Sequence, residues 1–182
     1  GLAIDYIHGF SISKTLPMFI ETGLGASFGF WGDTNDESYS DADVKYRFSQ
    51  ISLAVPVNFA YKFNINNDFS IQPYIGLNFK FNVYANLKTK FDCDDNDLQD
   101  EIDDMSDKEF ESAFGVPRDM SMFDKDYVGK DGQWKRFQLG WHIGVGVNFK
   151  ALYVGLSYGT DFMAICKKHN TSNFKVGVGF NF

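Results

Sequence analysis

Few residues in this chain are spaced for chemistry, and those that are fall into a few small sets. The first set is charged: Glu21, Lys80, Arg136, Asp161 and Lys175 each stand among Gly, Asn, Ser and Gln on the polar side of an alternating segment. Charges on a face turned away from solvent must neutralise one another or line a path for a solute. The second set is acidic. Asp92, Asp94 and Asn96 take alternate positions as in a calcium loop, but Asp97 stands where such a loop needs Gly and Asp103 where it needs Glu. Ca²⁺ is therefore an open cofactor at those three residues, behind a plain solvated acidic loop, and Asp124, Asp126 and Asp131 form a second, weaker cluster.

The histidines make the third set. A lipid-modifying barrel enzyme needs a His beside a Ser and a carboxylate. His142 shares its face with Gln138 and Arg136 and no serine, His169 sits in a Lys-rich loop tip, and His8 interrupts an apolar face, where a bulge near Gly9 could turn it inward. No catalytic and no cofactor-binding residue is assigned, and the expected protein is not an enzyme. Cys93 and Cys166 fall just beyond strand ends on one rim, where a disulfide stays open.

The elements that position these residues are strands. Phe numbers 20, Gly 17, and aromatic residues make up 18% of the 182, a composition for strands and turns. No apolar run approaches the roughly 20 residues of a spanning helix. The last ten residues, NFKVGVGFNF, put Phe174, Val176, Val178, Phe180 and Phe182 on one face and Lys175, Gly177, Gly179 and Asn181 on the other. That end looks like the terminal strand of an outer-membrane barrel. Going back along the chain, the same alternation predicts strands over 2–13, 18–31, 44–65 with a bulge at Ser49 and Gln50, 69 to about 91, 134–149 and 152–162. Residues 32–43 read as a polar loop. Within 92–133, Ser106 followed by Glu109 reads as a capping box and Gly115 with Pro117 as a stop, which predicts a short helix over 107–114.

Alternation alone does not say which face is inside. The polar face is rich in Gly, Asn and Ser with isolated charges, which suits a crowded lumen better than a solvated exterior. Its counterpart carries Phe, Leu, Ile and Val, with ring-bearing ends at Trp31, Tyr46, Trp134 and Tyr158, as lipid contact with aromatic girdles requires. Connections alternate between short (13–17, 66–68, 150) and long (32–43, 92–133, 166–172), so the short rim is expected in the periplasm. Asp161 and Lys175, on adjacent strands, are the preferred ion pair.

The charge of −7 is placed unevenly, with 15 acidic against 4 basic residues in 92–133 and 9 against 13 elsewhere. Nucleic acid is not an expected partner. The acidic segment is the expected contact for an extracellular ligand or protein.

The run ISLAVPVNFAYKFNINNDFSIQPYIGLNFKF, with FQLGWHIGVGVNFKALYVGLSYG and the closing VGVGFNF, resembles the small PorT-like outer-membrane β-barrel family common in Bacteroidetes. The resemblance implies an eight-stranded barrel and carries no active-site residues. Seven strands are read here, and bacterial single-chain barrels have even numbers. An ascending strand before Gly1 is therefore expected, or one strand is miscounted within 92–133.

The expected fold is all-β: an up-and-down antiparallel transmembrane β-barrel over 1–182, one domain, with a long acidic extracellular loop at 92–133. The expected protein is a monomer in outer-membrane lipid, its lumen largely plugged and its loops used for interaction. The alternatives are a narrow small-solute pore and a soluble, lipocalin-like ligand-binding barrel.

Overall fold

The structure is a computed structural model. It describes every residue except Ser40, Asp41, Asp94 and Phe182, and the side chains of all but these and residues 33–39, 42, 43 and 92. In chain order the elements are β1 (Leu2–Ser11), β2 (Met18–Tyr39), β3 (Ala42–Tyr61), β4 (Phe63–Asn64), β5 (Phe69–Cys93), α1 (Asn96–Asp104), α2 (Asp107–Phe114), β6 (Asp119–Ser121), α3 (Lys125–Gly132), β7 (Phe137–Phe149), β8 (Leu152–Asp161) and β9 (Ser172–Phe180). One sheet runs β1-β2-β3-β5-β7-β8-β9, with the short β4 and β6 each pairing with β5. The seven long strands are those read from the alternation. Among the described residues β1 and β9 end this path, without pairing to each other.

Two compact units form. Unit 1 holds Gly1–Leu2, Phe28–Ile51 and Val83–Trp134, and unit 2 holds Ala3–Ser27, Ser52–Asn82 and Lys135–Phe182.

In unit 2 the antiparallel ladders are long and regular. Phe69 to Phe81 pair in unbroken register with Phe149 to Phe137, and Leu152 to Asp161 with Phe149 to Gly140. Burial follows the pleat, since Gly155, Gly159 and Asp161 of β8 are buried while Leu152, Val154, Leu156 and Tyr158 are exposed. The exposed face is thus the apolar one, opposite to a lipocalin-like arrangement. Short turns close one rim. Asn66 Oδ1 accepts the Asp68 and Phe69 N–H groups at 2.9 and 2.8 Å, and Ser13 Oγ accepts those of Thr15 and Leu16. Neighbouring turns are stitched together, with Lys62 N–H donating to Pro17 O at 2.9 Å and Lys150 N–H to Asp68 O at 2.7 Å.

Several expectations are corrected. Residues 32–39, 42 and 43 are strand, not loop, so β2 and β3 run on past the apolar stretch. A ladder there needs only backbone hydrogen bonds, and the segment GDTNDESYSDAD has no apolar alternation to mark it as strand. The third strand ends at Tyr61, and β4 follows separately. β3 keeps one burial phase, with Phe48, Ser52, Asn58 and Ala60 all buried, so no bulge at Ser49 and Gln50 is needed to seat Phe48. The phase change lies instead in β5 at Tyr84, where Asn82 and Ala85 are buried and Val83 and Tyr84 exposed. Just beyond it, β6 pairs along β5 at Asn86, Leu87 and Lys88.

Candidate functional site

The polar face of unit 2 is built on β5, β7 and β8, whose register sets side chains from three strands side by side. Lys80 stands opposite Gln138 on β7, and Gly140, two residues on, stands opposite Asp161 on β8. Lys80 reaches across β7 and places Nζ 2.6 Å from Asp161 Oδ2, with side chains only 14% and 3% exposed. Gly140 makes this span feasible, because a Cβ there would meet Thr160 O at 2.8 Å and the Asp161 Cα at 3.1 Å. Thr171 Oγ1 donates to the same carboxylate oxygen. A buried charge pair is tolerated only where the remaining lone pairs are also met, and Thr171 supplies that donor.

Beside the pair lies a neutral network. Ser52 Oγ donates to Asn82 Oδ1 at 2.7 Å, and Asn82 Nδ2 donates to Gln138 Oε1 at 2.9 Å and Lys135 O at 3.0 Å. Ser52, Asn82 and Gln138 are among the most completely buried side chains. Asn148 Nδ2 donates to Ser70 Oγ, and Asn181 Nδ2 to Asn148 Oδ1. His142 Nε2 lies 2.7 Å from Asn58 Oδ1, with Tyr74 edge-on at 5.9 Å between ring centres. Gln72 Nε2 donates to Glu21 Oε1.

Two tyrosines fill the rest. The Tyr74 ring lies over Gly144, and the Tyr153 ring over Gly146 and Gly155, at positions where any Cβ would collide with the rings. The glycines of β7 and β8 thus serve as flat seats for aromatic rings. Alternation places both tyrosines on the polar face, but nothing in it says that the adjacent glycines exist to receive them.

Of the five predicted charges, the structure brings Lys80 and Asp161 together. Glu21 is held separately by Gln72. Lys175 stands opposite Ser157, away from the expected pairing with Asp161, whose own N–H donates to Thr171 O. Arg136 precedes β7 and is exposed. His8 packs edge-on against Phe10 at 4.7 Å, so it stays on that residue's face and is not turned inward.

In unit 1, Phe48 is buried between Trp31 at 3.9 Å and Trp134 at 4.9 Å. Trp31 and Trp134 thus clamp Phe48, with Trp31 itself still exposed. Residues 92–133 form three helices and a strand, more than the single helix expected. Ser106 and Glu109 do make the capping box of α2, and Gly115 ends that helix at φ 71°. Phe91, Phe110 and Phe114 pack together below it.

Of the candidate calcium residues, Asp94 lies outside the described residues, as does the Asp92 side chain, and Asn96 opens α1. Asp124 of the second acidic cluster caps α3 by accepting the Asp126 N–H at 2.9 Å. Among the described residues no three His, Cys, Asp or Glu side chains gather closely enough to hold a metal ion. Cys93 and Cys166 are not joined to each other by a disulfide.

No curated protein matches the chain. The crystal structure of Ail, the attachment invasion locus protein of Yersinia pestis, is similar with a TM-score of 0.32 and 13% identity, over 99% of this chain and 93% of that one. The family model described as outer membrane protein beta-barrel domain matches residues 2–163. With its antiparallel strands exposing apolar residues on one face and burying polar ones on the other, the chain belongs to the outer membrane protein β-barrel domain family and is an outer-membrane protein.

Proposed function

We propose that the protein is a monomeric, non-catalytic outer-membrane barrel of the PorT-like kind, with a plugged lumen, a periplasmic short-turn rim and an interaction element in residues 92–133 at the cell surface. The observation that carries the plug is the Lys80–Asp161 pair, buried and met by Thr171, beside tyrosine rings seated on glycine. A small barrel leaves an interior just wide enough for side chains to fill, and these fill it with bonded groups. The absence of catalysis is supported by His142, which faces Asn58 and Tyr74 where a nucleophile and a carboxylate would be needed.

Planar-bilayer recording of the refolded protein tests the plug. The expected result is a silent membrane, with brief irregular openings at most. Steady, reproducible conductance steps whose size changes in Asp161→Ala would establish a narrow solute pore instead.

A further inference from the structure

The apolar face of unit 2 carries a trough between two rows of side chains. Ile75, Ile143, Tyr158 and Phe174 stand opposite one another on β5, β7, β8 and β9 and form one exposed row across the strands. Nearer the short turns, Pro73, Val145 and Leu156 pair in the same way and form a second row. Tyr74, Gly144 and Ser157 lie in register between the two. The pleat turns these three to the opposite face, where the Tyr74 ring covers Gly144, so on the apolar side the floor is backbone. With Phe59 and Tyr61 of β3 at one end, the rows bound a volume of about 680 Å³.

Its dimensions point to an occupant. Five strands about 4.8 Å apart make the trough roughly 19 Å long. Strands of membrane barrels tilt by about 35–45°, so a trough running across them climbs through roughly 11–13 Å of membrane. One leaflet fills half of a hydrocarbon core about 30 Å thick, and a single acyl chain lying along the protein matches that length and slope. Pro73 and Val145 are shorter than the Ile75 and Ile143 they face across the floor, which deepens the trough midway.

Its surroundings point to the same occupant. The trough is continuous with the apolar face that an outer-membrane barrel turns to lipid. A protein partner at this level gains nothing by leaving lipid, whose tails are as apolar as the walls, and associates through small residues or hydrogen bonds. These rows offer branched aliphatic side chains and aromatic rings instead. A flexible chain can fill such an irregular trough and gain dispersion contacts along its whole length.

We propose that the trough holds one acyl chain of a membrane phospholipid, retained in preference to the bulk lipid around it, while the headgroup and any second chain stay in the bilayer. The proposal rests on the membrane placement of the chain and is independent of whether the lumen conducts.

The test is native mass spectrometry of the full chain, refolded in maltoside micelles, with dioleoylphosphatidylglycerol titrated in. A monomer carrying one phospholipid is expected, with occupancy that saturates at one per chain. Val145→Trp sets an indole into the trough and should weaken this binding about fivefold. Leu156→Phe fills it more gently and should act in the same direction. Val154→Trp, at an equally exposed valine of the same face outside the trough, should leave binding unchanged. Oleoyl lysophosphatidylglycerol and dioleoylphosphatidylethanolamine should bind as tightly as the first lipid, because the trough reads one hydrocarbon chain and not the headgroup. Circular dichroism with the heat-dependent gel shift verifies that each variant is folded. Adducts that accumulate without a step at one per chain, full affinity in both folded trough variants, a dimer in place of the lipid-bound monomer, or lipid A displacing the phospholipid at equal concentration would overturn the proposal.

Discussion

In unit 2 the side chains hidden from the surroundings are Ser52, Asn58, Asn82, Gln138, Asn148 and Asp161, while Phe79, Ile143, Val154 and Leu156 lie open. In α1 and α2 of unit 1 the pattern is reversed, with Ile102 and Phe110 hidden and the carboxylates of Asp97, Asp100, Glu101 and Glu109 in the open. A single chain has thus been fitted to two solvents. Where hydrocarbon surrounds the sheet, exposing an apolar side chain costs nothing, and polar groups are driven inward to find one another. Where water surrounds the helices, the hydrophobic effect gathers Phe91, Phe110 and Phe114 and leaves charge outside. Burial in one part is therefore held by hydrogen bonds and an ion pair, and in the other by apolar area.

The strongest way to break that comparison is to delete one partner of the ion pair. Asp161→Ala leaves Lys80 buried opposite nothing, and should destabilise the folded protein by about 3–5 kcal/mol in urea unfolding from lipid vesicles. Lys80→Met/Asp161→Leu removes both charges and should recover most of that loss. Equal destabilisation in the single and double variants would mean that shape, not charge, holds this face together.

The matching change in the water-facing part is Phe110→Ala, which empties the most completely buried large side chain there. A loss of about 3–4 kcal/mol is expected, confined to the helical segment. Hydrogen exchange reads it directly: amides of residues 96–132 lose protection while those of β7 and β8 keep theirs. Loss of protection in β7 and β8 as well would show that the two kinds of burial are one cooperative system.

How far these features were legible depended on whether they are local. The helix Asp107–Phe114 follows from Ser106, Glu109 and Gly115, residues within one or two turns of the backbone they cap. The strands of unit 2 follow from period-two alternation, because each lies between two unlike surroundings. The Lys80–Asp161 pair was not legible. It joins β5 to β8 over the top of β7, and depends on a register and a glycine gap that no single strand displays. Pairing Asp161 with Lys175 treated adjacent strands as level, whereas the actual register sets Lys175 against Ser157. The stacking of Trp31 and Trp134 on Phe48 was hidden for a related reason: the three rings lie far apart in the sequence, and no single strand shows that they meet. The strand character of residues 32–39, 42 and 43 left no trace because their composition is polar throughout and offers no period-two contrast.

The smallest expected effect sharpens the comparison from the water-facing side, where a single carboxylate can be followed by pH. Glu109 Oε2 accepts the Ser106 N–H at 2.9 Å and the Ser106 hydroxyl at 2.6 Å. These bonds, the hydroxyl's first, hold its carboxyl below the usual 4.5. A carboxylate whose folded value is depressed contributes stability in full above its unfolded value and loses it as pH falls through the folded one. The first turn of α2 should therefore be fully capped at neutral pH and fray only on acidification below about 4.5, seen as loss of protection at the Ser106 and Glu109 amides. Ser106→Ala removes the hydroxyl, returns the Glu109 carboxyl toward its usual value and flattens this acid dependence, while β7 and β8 exchange as before. An unchanged pH profile in Ser106→Ala would assign the acid response to the many other carboxylates of residues 92–133 and not to this cap.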